Sequence, residues 1–101
     1  MLQTIFEAVR AKVRISLSTL GHEGRFAFEP HIVYTDPCDR IPRVAGYLLG
    51  PIGSGSYTRV WTEFEIPDLE SVGMSQIRFH PDEESKQKVS EILGITHAKV
   101  E

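Results

Sequence analysis

The hydrophobic period of this chain changes once, at Arg14, and then stays close to two residues as far as His80. Before the change, Leu2, Ile5, Phe6, Val9 and Val13 recur at helical spacing, and Thr4 with Glu7 fits a capping box. Arg10, Lys12 and Arg14 fall in or just after the last turn of that helix, where cations suit its dipole. After the change, short alternating runs are cut by Gly and Pro, which predicts strands joined by tight turns. Consecutive short strands with hairpin turns favour a small, strongly bent antiparallel sheet or barrel flanked by helices.

The individual strands follow from that pattern. Ile15, Leu17 and Thr19 alternate with Ser16 and Ser18, Gly21 to Gly24 turns the chain, and Phe26 and Phe28 return as the second arm of a hairpin. Pro30 predicts an edge or a bend, Ile32 to Tyr34 continue extended, and Thr35 to Pro42 is a loop. Val44 to Leu49 is apolar on both faces, as a buried strand is, and Gly50 to Ser56 is a hairpin tip. In Arg59 to Ile66, the residues Val60, Thr62, Phe64 and Ile66 face one way, and Arg59, Trp61, Glu63 and Glu65 the other. Pro67 to Glu70 turns, and Val72 to His80 returns with Ile77 and Phe79 inward.

A second helix follows Pro81, with Asp82, Glu83 and Glu84 at its start, an apolar stripe of Val89, Ile92 and Leu93, and Gly94 as its stop. Thr96 to Glu101 reads as a loose tail. The predicted fold is α+β, mainly β: one domain over residues 1–95, a bent sheet or small barrel with an N-terminal and a C-terminal helix.

Composition narrows the functions. The chain has 101 residues and a formal charge of -3, proportions that fit one ordinary domain with one core. No window approaches the ~18 consecutive apolar residues of a membrane span, and the N-terminus lacks the ordered regions of a signal peptide, so a cytoplasmic protein without a membrane partner is expected. Cys38 is the only cysteine, which excludes an internal disulfide framework and a multi-cysteine zinc site, and the absence of Asn excludes N-glycosylation. Residues 1–60 carry seven Lys or Arg against five acids, and residues 61–101 carry four against nine, a +2 front and a -5 back. An acidic back half argues against coating duplex DNA, which requires many unopposed cations, while the front can still hold a local anion site.

The motifs for chemistry are weak. Gly50 to Ser56 is no phosphate loop, because no Lys follows and no helix begins there. His22, His31, His80 and His97 show no metal-ligand spacing, and His31 with Asp36 and Cys38 falls short of a convergent ligand set. Cys38 with His31 lacks a third orienting residue for nucleophilic catalysis, and Glu63 with Glu65 reads better as a solvated strand face. No catalytic residue, metal or cofactor is therefore expected. Trp61 stands apart: on a polar strand face beside Arg59, with Tyr47 across the hairpin, it either offers a base-stacking platform or packs under the C-terminal helix.

Arg25-Phe26-Ala27-Phe28-Glu29-Pro30-His31 after an opening helix and strand, Gly46-Tyr47-Leu48-Leu49-Gly50, and Trp61 to Ile66 followed by Pro67-Asp68-Leu69 together resemble the WYL domain over about residues 3–80. The resemblance implies an Sm-like small β-barrel that senses nucleotides or single-stranded nucleic acid, with Arg25, His31 and Tyr47 lining the ligand face. Two positions depart from the family: Gly46 stands where its tryptophan is expected, and Asp68 where an arginine is usual. The helix-turn-helix of the family's regulators has no counterpart within the chain, which implies action through a protein partner or a homo-oligomer.

Two functions compete on these grounds. One is a non-enzymatic regulatory module that holds a nucleotide-like or single-stranded nucleic-acid ligand through Arg25, His31, Arg43, Tyr47, Arg59 and Trp61. The other is an interaction domain that docks a protein through an edge strand or an exposed aromatic face. Convergence of Arg25, His31 and Tyr47 on one exposed face favours the first; their scattering beside an apolar edge favours the second.

Overall fold

The computed structural model describes residues 1–100, and its element order is α1 (Leu2–Ala11), β1 (Val13–Thr19), β2 (Phe26–Thr35), β3 (Pro42–Pro51), β4 (Val60–Glu65), β5 (Leu69–Arg78), α2 (Glu83–Ser90) and β6 (Ile95–Lys99), with a single 3-10 turn at Ile66–Asp68. The architecture is α+β and mainly β, as the period change predicts. All pairings are antiparallel, in the order β4-β3-β2-β1-β5, with β6 added on β2.

Chain connectivity forces this sheet to curl. Strands β4 and β5 are its two edges, yet only Ile66–Asp68 separates them. Four Cα steps from Glu65 to Leu69 reach at most about 15 Å. Five strands laid flat would hold those edges about 19 Å apart. The sheet closes that gap by bending, and the backbone N–H of Leu20 ties the corner down by donating to the Asp68 carbonyl at 2.9 Å.

The bend is centred on β2, which pairs with β3 along its whole length and with two different strands on its other edge. Phe26 to Phe28 pair with β1, whereas Ile32 to Thr35 pair with β6. Pro30 lies at the changeover, where its missing N–H breaks no ladder on that side. His31 is the extra residue of a bulge, because Pro30 faces Gly46 and Ile32 faces Ala45. Its carbonyl accepts from the Val100 N–H at 2.8 Å. Helix α1 covers the concave side through Ile5, Ala8 and Val9, all fully buried, over a core that includes Ile15, Leu17, Phe28, Ile32, Val33, Val44, Ile66, Leu69 and Phe79.

Several local expectations are corrected. The segment read as a loose tail, Thr96 to Glu101, carries all but the first residue of β6 (Ile95–Lys99), whose only buried strand residue is Ala98; the strand is held by the free edge of β2 rather than by an apolar pattern of its own. Helix α1 begins at Leu2, which leaves Thr4 inside it and no side-chain cap at its N-terminus. Ile77 is exposed because a register shift between Val13 and Ile15 re-phases β5; there Ser75 Oγ donates to the Arg14 carbonyl at 2.6 Å. Helix α2 ends at Ser90, before Leu93, which is 86% exposed. Its start is a true capping box: Asp82 Oδ1 accepts from the Ser85 N–H at 2.8 Å and Ser85 Oγ from the Asp82 N–H at 3.0 Å.

Candidate ligand-binding site

The β2 bulge and the β3–β4 hairpin assemble an aromatic cluster. Tyr47 on β3 lies directly across from Trp61 on β4, with ring centroids 5.1 Å apart and nearly perpendicular. Because the bulge turns His31 inward, its ring meets Tyr47 at 5.4 Å and Trp61 at 5.6 Å edge to face, and stacks on Phe79 at 4.7 Å. Tyr47 and His31 are buried; Trp61 is half-buried, and the Lys88 ammonium of α2 lies 5.8 Å from its ring. Trp61 thus packs partly beside the C-terminal helix and keeps part of its surface in water.

Charge is layered over these rings. The Arg59 guanidinium sits 4.0 Å from the centroid of Tyr47, a close cation–π stack. The same arginine reaches Asp82 at 3.4 Å and the buried Glu29 at 3.8 Å. Arg14 approaches the other carboxylate oxygen of Glu29 at 3.4 Å and lies 5.8 Å from the exposed Tyr57 ring. Glu29 therefore holds two guanidiniums at the rim, while Tyr57, Arg59, Trp61 and Lys88 make the accessible surface.

Titration inside the cluster follows from burial. Desolvation holds the His31 imidazole below its usual range, and the hydrogen bond between Nδ1 and the Glu29 carbonyl, at 2.7 Å, only partly offsets it. Desolvation also pushes the Tyr47 phenol up, aided by the charges of Glu84 and Asp82. Asp82 is held low, chiefly by the Ser85 backbone N–H and then by its other hydrogen bonds. Among the described residues, three buried side-chain polar atoms have no hydrogen-bond partner: Arg14 Nε, His31 Nε2 and Tyr47 Oη. All three belong to this one cluster.

Of the six residues singled out from sequence, His31, Tyr47, Arg59 and Trp61 come together here. Arg25 does not: it lies against β1 and β5, where it donates to Ser71 Oγ at 2.5 Å and to the Ser16 carbonyl and hydroxyl. Arg43 is also elsewhere, tied to Asp39 at 2.6 Å and to Glu65 at 3.4 Å, and the Asp39 bond raises its pKa while lowering that of Asp39. Both arginines brace strands and loops. Sequence reasoning missed Glu29, Arg14, Phe79 and Lys88; the one signal for Glu29 was an acid directly preceding the Pro30 break.

Gly46 has a steric cause. A Cβ there would lie 1.9 Å from the Glu29 carbonyl oxygen, so no side chain fits, and the indole of this region comes from Trp61 instead. Asp68 is exposed in the 3-10 turn, outside the cluster. The pairings weighed for catalysis are not assembled. His31 is buried while Cys38 is exposed, Glu63 accepts from Tyr34 Oη at 2.5 Å, and Glu65 meets Arg43. Among the described residues no group of three His, Cys, Asp or Glu side chains is placed to hold a metal, and no helix is long and apolar enough to cross a membrane.

The class defined by these features is a small α+β domain with a curled antiparallel sheet and an aromatic–cationic rim. Comparison with protein-family models, curated proteins and solved structures finds no match.

Proposed function

We propose that this chain is a non-enzymatic regulatory module that holds a nucleotide-like or single-stranded nucleic-acid ligand on its Arg59–Trp61 surface and acts with a protein partner. The observation that carries this reading is the gathering of every unpartnered buried polar side-chain atom among the described residues into this one cluster. Each such atom calls for an explanation, and titratable groups perturbed together, as His31, Tyr47 and Asp82 are, mark a candidate site. Trp61 and the exposed Tyr57 supply faces for base stacking; Arg14, Arg59 and Lys88 supply cations for phosphate. Of the three residues the WYL resemblance places on a ligand face, His31 and Tyr47 lie buried beneath this surface and Arg25 lies apart from it, so the reading rests on the surface made by Tyr57, Arg59, Trp61 and Lys88 rather than on the resemblance.

Glu29 and Asp82 offset part of that positive charge, so the ligand carries few phosphates at the contact. The expected signature is modest salt dependence: two or three neutralised phosphates give a slope of log K against log salt of about -1.5 to -2. The test is fluorescence anisotropy of labelled short single-stranded DNA and RNA, with a thermal-shift panel of nucleotides, at two salt concentrations. Arg59→Ala and Trp61→Ala are each expected to weaken binding about tenfold, one stacked base or charged contact being worth ~1–3 kcal/mol. No binding at roughly 50 µM protein and low salt, where even non-specific contacts register, overturns the proposal.

A second reading has its own observation. Val60 on β4 and Met74 and Ile77 on β5 are 56%, 48% and 51% exposed, and both strands are sheet edges. An apolar edge of this kind suits a protein that docks by adding a strand or covering a face. Nucleotide-silent chain that self-associates, with Val60→Lys abolishing the association, is the result that selects it.

A further inference from the structure

A second charged site lies on residues the aromatic cluster does not use. Where the end of α1 meets β6, a cleft of about 410 Å³ is lined by Arg10, Lys12, Thr96, His97, Ala98 and Lys99. Three of these six are cations and a fourth is an imidazole, and no carboxylate among the described residues lines the cleft. Arg14, Arg43, Arg59 and Lys86 have acidic partners within 4 Å, whereas Arg10, Lys12 and Lys99 have none among the described residues; Arg25, Arg40, Arg78 and Lys88 also lack one, but only the first three share a single cleft. The dipole of α1 accounts for cations in its last turn, but not for Lys99 and His97, which come from a strand.

Lys12 adds a second observation. It caps α1 in the left-handed conformation, φ 56° and ψ 50°, a place that favours glycine. Its backbone does what a glycine's would, its carbonyl accepting from the Phe79 N–H at 2.8 Å. The long side chain is therefore superfluous to the cap, and the strain it brings is carried at the mouth of the cleft. Thr35 and the imidazole of His97 share a hydrogen bond of 2.6 Å between Oγ1 and Nε2, which anchors the ring at the rim, and Phe6 stands beside it at 6.5 Å.

We propose that this cleft is an anion site that takes the phosphate group of a phosphorylated small molecule, with Arg10, Lys12 and Lys99 as charge partners and His97 as a hydrogen-bonding group. Three cations lining one cleft favour a dianionic or more highly charged group over a carboxylate. The volume leaves room for an organic portion beyond the phosphate.

The test uses the whole chain, 15N-labelled, titrated with inorganic pyrophosphate up to about 5 mM against chloride at matched ionic strength, which removes simple screening as the cause. Shifts are expected to concentrate at the amides of residues 10–13 and 96–99. Lys12→Gly should hold or raise the thermal midpoint, since glycine suits the cap, and should weaken pyrophosphate binding about fivefold; exposed Lys99→Gln should do the same without a stability change. A parallel arm with phosphatidic acid in phosphatidylcholine vesicles separates the sources: co-sedimentation lost in Lys12→Gly identifies a lipid headgroup, and its absence a free phosphorylated metabolite. Shifts scattered over all basic residues, or equal to those with chloride, or unchanged affinity in both variants, overturn the proposal.

Discussion

His31 concentrates the physics of this molecule in one side chain. It is fully buried, bonded at one nitrogen, unpartnered at the other, and enclosed by Tyr47, Trp61 and Phe79. Burial lowers its pKa below 6.5, so between 6.5 and the folded value the unfolded chain binds a proton that the folded chain refuses. Stability from this group is present above pH 6.5 and falls on acidification, by at most ~1.4 kcal/mol per pH unit. Urea midpoints measured from pH 7.5 to 5 should show that decline. His31→Asn, whose amide can still donate to the Glu29 carbonyl, should flatten it; an equal slope in the variant would assign the decline to other groups. The enclosure itself was not legible. Sequence placed His31 in an extended run beside a proline, and only the bulge, set by pairing to β3, decides that its ring points inward.

Among the elements, β6 is the one whose formation depends on all the others. Its exposed residues show no inward-facing alternation, so pattern reasoning reads it as tail. Once β1 diverges from β2 at Phe28, the edge from Ile32 to Thr35 is left with open hydrogen-bonding groups, and β6 satisfies them. Deleting residues 95–101 removes that ladder, the bond from Val100 to His31, and the cover over Val33. With each lost hydrogen bond worth ~1 kcal/mol net, the expected loss is at least ~3 kcal/mol, out of a total of ~5–15 for a domain. Urea unfolding measures it, and an unchanged midpoint would make β6 an accessory. The hairpins β1–β2 and β3–β4 and helix α2 were legible for the opposite reason. Glycines, prolines and the Asp82–Ser85 box act within a few residues of where they stand.

At the scale of the whole molecule, the +2 front and -5 back of the sequence are not two faces. Arg59 of the front bonds Asp82 of the back, and Arg43 bonds Glu65, so folding interleaves the halves. What remains is a molecule of isoelectric point near 5.8 with apolar residues exposed on both edge strands. Net repulsion vanishes near that pH, in the range where protonation of His31 also favours opening. Light scattering should therefore peak at about pH 5.5–6 and fall on either side, and Val60→Lys, which charges an edge strand, should suppress the peak. Scattering that rises steadily to lower pH would assign aggregation to unfolding alone.

The linear chain determined what local interactions determine: where the period changes, where glycine and proline turn it, which residues start α2, and hence an α+β, mainly β domain. It also marked Tyr47, Arg59 and Trp61 as neighbours, because a hairpin joins sequence-near strands. Tertiary structure alone decided that Arg25 and Arg43 brace the scaffold, that Glu29 and Arg14 join the rim, and that the last segment is a strand. Those outcomes rest on contacts between residues far apart in sequence. They exist only once the three-residue corner at Ile66–Asp68 has forced the sheet to curl.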